Sequence, residues 1–187
     1  MGNIKVDLSG MKALNEQISR LGARRNELFT ACAKELAARL LRSVIKRTPV
    51  GVPPSDISPD VYDEYWSGYT GGTLRRGWTA KSEAEAQSGG KAGLNAGFLN
   101  TLAVKKTGNV YTITITNPVK YASYVEYGHR QHVGQFVPAL GKRLKRGWVE
   151  GQFMLKISEE ELQVKAPAKC GLWRTSEIKR GFFVLFF

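Results

Sequence analysis

Histidine and cysteine are scarce in this chain, with two of each among 187 residues. Cys32 and Cys170 lie far apart and form no CxxC spacing, so neither a disulfide framework nor a cysteine zinc site is expected. Acidic residues are short as well: 16 Asp plus Glu stand against 28 Lys plus Arg, a formal charge of +12. That imbalance biases the chain toward polyanionic surroundings such as nucleic acid, although solubility alone tolerates it. No segment approaches 18 consecutive apolar residues, which excludes a membrane-spanning helix. The N-terminus "MGNIKVDLSGMKALN" has no basic region followed by an apolar core, and reads as that of an intracellular, soluble product without a signal peptide. Met1-Gly2 looks like a myristoylation start, but Val6 stands where Ser or Thr is wanted. No nucleophile elbow or phosphate-binding glycine loop is present, so no enzyme and no cofactor are expected.

What is present begins with helical spacing from Met11 to Arg47. Leu28, Cys32, Leu36, Leu40 and Val44 recur at intervals of four, preceded by Leu14, Ile18 and Leu21, and an interruption is expected near Gly22. The other face carries Arg24, Arg25, Lys34, Arg39, Arg42, Lys46 and Arg47, which suits a solvated face or one turned toward DNA. Thr48-Pro49 ends the helix, because the residue before proline is pushed out of the helical region.

From Thr48 to Leu74 there is no lysine or arginine. Asp56, Asp60, Asp63 and Glu64 mix there with Tyr62, Tyr65, Trp66 and Tyr69. Such an acidic aromatic island suits a docking segment for a basic neighbour, a second copy included, or a loop folded over its own basic helix. Residues 82–97, "SEAEAQSGGKAGLNAG", read as a mobile loop. "LNTLAVKK" and "VYTITITN" read as a hairpin around Thr107-Gly108-Asn109, with Tyr111, Ile113 and Ile115 on the buried face. "QFVPALGKRLKRGWVEG" reads as short strands or an extended arm with the basic cluster Lys142, Arg143, Lys145 and Arg146. "FMLKISEEELQVKAP" predicts a C-terminal helix with Ser158 as N-cap. The chain ends "FFVLFF", an aggregation hazard unless it packs into the core or a partner.

Both histidines fall in "YASYVEYGHRQH", where Glu126, His129 and His132 are spaced by three. On one continuous helix that spacing would gather metal ligands. Gly128 argues against the helix, since a glycine there would stop the turn begun near Val119 and leave both histidines in the following loop. A structural or interface corner is the expectation.

"TPV" after a long basic helix, "TLRRGW", a Thr-rich strand ending "NPVKYASYVEYGHR", and "GWVEGQFML" together resemble the minor tail-component family of long-tailed double-stranded DNA bacteriophages. The resemblance covers residues 5 to 165, and its most specific part is Tyr121-Ala122, Val125-Glu126 and Gly128-His129. It implies a structural corner at these residues, in which Glu126 accepts hydrogen bonds from the backbone or from His129. It also implies an α+β domain spanning 1–187, with a long N-terminal helix packed on a mostly antiparallel sheet, a short helix and a C-terminal helix. Relative to the family pattern, residues 51–72 look like an insertion, and the tail after Pro167 departs from the expected amphipathic helix.

The function implied is that of a virion protein of the neck or tail top, made in the host bacterial cytoplasm and acting in head-tail joining and tail completion. It would form a homo-oligomeric ring around the DNA passage. Its partners would be a connector or stopper, a tail terminator, and a tape-measure or tail-tube protein. Contact surfaces would draw on Arg24, Arg25, Arg75, Arg76, Lys142, Arg143, Lys145, Arg146, Asp56, Asp60, Asp63, Glu64 and Trp66, some meeting exiting DNA non-specifically. Two other classes compete: a sequence-independent nucleic-acid-binding protein using the basic residues, and a metal enzyme built on Glu126, His129 and His132.

Overall fold

The computed structural model describes residues 9–89, 94, 96–165, 174–179 and 182–186. Helix α1 runs from Ser9 to Arg47 without the interruption expected at Gly22. A single glycine keeps its N–H and costs only about 1 kcal/mol relative to alanine, too little to break a helix of this length. The helix stops as expected at Thr48, whose amide closes the last turn on the Val44 carbonyl at 2.9 Å. Among the described residues only its second half is a core face, with Ala33, Leu36, Ala37, Leu40, Leu41 and Val44 buried. Leu14, Ile18, Leu21 and Leu28 share the periodicity but stay exposed. The reason is length: 39 helical residues span on the order of 60 Å, far more than strands of seven residues or fewer can cover.

The domain is α+β. Strands β1 (Val104–Thr107) and β2 (Val110–Thr116) form the expected hairpin. Its turn passes through Gly108 at φ 62°, a left-handed position suited to glycine. Tyr111, Ile113 and Ile115 are buried and Thr114 is exposed, so one face of β2 lies on α1. In the tail, β7 (Arg174–Lys179) and β8 (Phe182–Phe186) complete an antiparallel sheet of order β1-β2-β8-β7. Phe182–Phe186 of the "FFVLFF" end is thus a neighbour of β2 in the sheet.

Four short helices occupy stretches with weak sequence signals. The expected insertion at 51–72 carries α2 (Pro59–Tyr65), with proline in its first turn. "TLRRG" forms α3 (Thr73–Gly77). The segment 82–97, expected to be a mobile loop, instead carries α4 (Glu83–Gln87). The Ser82 side chain accepts from the Glu85 amide, Glu85 returns a carboxylate to the Lys81 amide, and Ala86 is fully buried, while residues 90–93 and 95 lie outside those described. The start of the expected strand "LNTLAVKK" is helical too, as part of α5 (Ala96–Thr101), because Phe98 and Leu102, four apart, pack on the core.

After Pro118 the chain forms α6 (Ala122–Tyr127) and then the arm. In the arm β3 (Gly128–Arg130) pairs with β6 (Trp148–Glu150), and β4 (Phe136–Val137) pairs with β5 (Lys142–Arg143) across a 3₁₀ turn at Pro138–Leu140. Helix α7 (Met154–Lys165) packs on the second half of α1, with Met154, Leu155 and Leu162 in the core. Arg47 pairs with Glu161 across this contact. Ser158 is not the N-cap: it is buried inside α7 and donates to the Met154 carbonyl at 2.7 Å.

Candidate functional site

The corner is built from two chain segments whose backbones touch. At the end of α6, Gly128 has φ 84°, and a Cβ there would lie 2.4 Å from the Val149 carbonyl oxygen. Opposite it, a Cβ on Gly151 would lie 2.4 Å from the Glu126 carbonyl oxygen, so both positions require glycine. This approach lets the Gln152 amide donate to the Val125 carbonyl at 2.8 Å and the Phe153 amide to the Glu126 carbonyl at 3.0 Å. Phe153 is itself held at φ 47°, a strained value for a side-chain-bearing residue.

The turn delivers the N-terminus of α7 onto the Glu126 side chain. Its Oε2 accepts the Leu155 amide at 3.0 Å and its Oε1 accepts the Lys156 amide at 3.1 Å, in a site where Glu126 is 5% exposed. A carboxylate at the positive end of a helix, satisfying two otherwise orphaned amides, is a cap supplied from 29 residues away. The cap that the sequence suggested at Ser158 therefore comes from Glu126.

His129 is not Glu126's partner. It belongs to β3, opposite Val149, with its ring 5.6 Å from that of Tyr124 and its buried Nδ1 without a partner among the described residues. His132 is exposed in the following turn. Both oxygens of Glu126 face backbone amides, and among the described residues no group of three His, Cys, Asp or Glu is arranged to hold a metal. Ala122 is buried beneath the corner, while Tyr121 and Val125 line a groove of about 260 Å³ with Pro49, Val50, Tyr69 and Leu74. Partial burial there pushes the Tyr121 hydroxyl above its ordinary range.

A second node ties "TPV" to "RRGW". Thr48 is fully buried, its hydroxyl donating to the Val44 carbonyl and accepting from the Trp78 indole N–H, both at 2.7 Å. Its carbonyl accepts both Arg75 Nη2 at 2.7 Å and Nε at 3.0 Å. Arg76 ties the Ala86 and Gly71 carbonyls together at 2.7 and 2.9 Å. Arg75 and Arg76, expected among the contact residues, therefore spend their guanidinium groups on internal carbonyls. Thr48 is legible in the sequence as the helix end, but its bonds to Trp78 and Arg75 and the close approach at Gly151 are not, since nothing local marks which distant group each one meets.

The acidic island does not fold over the basic helix. It folds over the arm: the Trp66 indole donates to the Ala139 carbonyl at 2.7 Å, and Asp56 pairs with Lys142. The Lys142 hydrogen bond holds the Asp56 carboxyl below its ordinary range. Arg143 donates to the Gly134 carbonyl at 2.8 Å. What these bonds leave outward is Asp60, Asp63 and Glu64 on α2, and Lys145 and Arg146 beside exposed Trp148 on the arm. Arg24 and Arg25 are exposed on α1, next to the segment that meets β1 and β2, and so stand apart from the arm.

Residues 12–128, more than half of the chain, match the family described as "Bacteriophage HK97-gp10, putative tail-component". The chain belongs to this family. Membership in the HK97-gp10-like family makes it a phage tail component and hence a virion protein. Neither the curated proteins nor the solved structures give a significant match. The matched range contains the Thr48 node and ends at Gly128 of the corner, whereas the arm and α7, which complete both cap and charge pairing, lie beyond it.

Proposed function

We propose that this tail component acts at the neck or tail top, joining head to tail and completing the tail, as a homo-oligomeric ring around the DNA passage. The observation that carries this reading is the pair of outward, oppositely charged surfaces on the acidic island and the arm it packs against. Asp60, Asp63 and Glu64 lie beside exposed Tyr62 and Tyr65, and Lys145 and Arg146 lie beside exposed Trp148. Within the chain, Asp56 of the acidic island already pairs with Lys142 of the arm, the kind of contact these surfaces would repeat between copies. Repeated head to tail, such a contact builds a ring where its rotation closes, and mixed charge and aromatic character gives it register and specificity. Neighbouring rings in the connector, stopper, tail terminator or tail tube would be met by the same means.

A phage with an early stop codon in this reading frame should package DNA and yet give few infectious particles. Electron microscopy should show filled heads without tails, or tails with an abnormal upper end, and added purified protein should restore infectivity. Empty heads beside normal tails would place the protein in packaging, and an unchanged yield would refute the joining role.

The exposed Arg24, Arg25, Lys145 and Arg146 favour a second reading, sequence-independent binding to DNA phosphates. That reading expects the purified protein to bind duplex DNA of any sequence, with affinity falling steeply as salt rises.

A further inference from the structure

The first half of α1 carries a row of large aliphatic side chains that no other described element covers. Leu14, Ile18, Leu21 and Leu28 are 56%, 58%, 65% and 63% exposed. The adjacent face of the same stretch meets the hairpin: Asn26 accepts from the Tyr111 hydroxyl and from Lys106, and Phe29 stacks on Tyr111 at 5.5 Å. The exposed row advances by four, three and seven residues and reaches Cys32 after four more. That is roughly one position every 3.5 residues, the seam spacing of helices that wind about each other. Arg25 is the one position between Leu14 and Cys32 that breaks it. Four such side chains leave on the order of 400 Å² of apolar surface, the size of the largest patch on a typical monomer, which is often functional.

We infer that this row packs against the same row of a second copy, with the two α1 helices antiparallel. Knobs at this spacing need a partner helix of comparable length. Among the described residues α1 itself, with 39, is the element that has it, since α7 has 12 and is already packed on the buried half of α1. Charge sets the direction. A parallel pair would place Arg25 against Arg25 in the seam. An antiparallel pair places Ile18 opposite Leu21 and Leu14 opposite Arg25, whose aliphatic stem lies along the leucine while its head stays in water. The more cationic end, with Arg20, Arg24 and Arg25 against Glu27, then faces the end that carries Glu16. The contact is isologous and closes at two copies, so it uses a different surface from a head-to-tail ring and does not rest on the ring reading.

The test is the particle mass of the full-length protein by light scattering, up to about 100 µM, where a pair of micromolar affinity is saturated. Ile18→Glu with Leu21→Glu should halve the mass and leave the circular dichroism spectrum unchanged, because both residues lie outside the core. Charge reversal at Asp60, Asp63 and Glu64 should not break the pair, which separates this contact from a ring contact. In a Cys32→Ser, Cys170→Ser background, copies carrying Leu14→Cys should form disulfides with copies carrying Arg25→Cys and far less with their own kind. A mass unaffected by the double glutamate variant, a monomeric wild type at the highest concentration, or preferential Leu14→Cys self-linkage would overturn the inference. Unfolding of the glutamate variant would also overturn it, by placing the row in the core.

Discussion

Replacing Glu126 with alanine removes both acceptors that hold the start of α7, the Oε2 at 3.0 Å from the Leu155 amide and the Oε1 at 3.1 Å from the Lys156 amide. Leu155 is 2% exposed, so water cannot readily take the place of the carboxylate at its amide. Loss of a helix cap costs about 1 kcal/mol, and an orphaned buried donor adds about 1–3 kcal/mol, giving an expected loss of about 2–4 kcal/mol. In a domain of this size each kcal/mol shifts the midpoint by about 2–4 °C, so calorimetry should find Tm lower by roughly 5–15 °C. Glu126→Gln keeps an acceptor oxygen and should recover about half of that loss. Amide exchange at Leu155 and Lys156 should accelerate in the alanine variant ahead of the rest of α7. His129→Ala removes a ring whose Nδ1 has no described partner, and should cost less than about 1 kcal/mol. If Glu126→Ala melts like the wild type, or if His129→Ala costs as much, the cap is not what holds the corner.

Three further outcomes follow from the same contacts. Thr48→Val strands the Trp78 indole N–H in the core and should lower urea-unfolding stability by about 1–3 kcal/mol. Gly151→Ala places a methyl 2.4 Å from the Glu126 carbonyl oxygen, backbone that cannot yield, and should abolish soluble expression at growth temperature or lower Tm more than Glu126→Gln does. The Asp56 and Glu161 carboxyls are held below their ordinary range by Lys142 and Arg47, so their pairs stabilise the fold above the unfolded carboxylate pKa and lose that effect as pH falls through the lower folded values. Asp56→Asn and Glu161→Gln should therefore differ from the wild type in Tm at pH 7 and converge with it below about pH 3, by small margins because both pairs face solvent. A constant gap at all pH values would contradict this.

Local patterns determined much of this protein. The period of α1 and its stop before Pro49, the two-residue alternation of β2, and Gly128 as the end of α6 are written in neighbouring residues, because backbone sterics and amphipathic spacing act over a few positions. The strings "TPV", "TLRRGW", "NPVKYASYVEYGHR" and "GWVEGQFML" together suggest a phage tail component, most specifically from Tyr121 to His129. Tertiary structure alone decided where each distant group goes. Ser158 has the chemistry of a cap, yet the cap is Glu126, because the close approach at Gly128 and Gly151 carries α7 onto that carboxylate. Arg75 and Arg76 look like surface cations and are struts, because carbonyls of Thr48, Gly71 and Ala86 converge on them. Leu14 to Leu28 share a period with the buried half of α1, and only the short reach of the sheet leaves them exposed. Periodicity says which side of a helix is apolar; how far the rest of the chain extends along it decides which part is core.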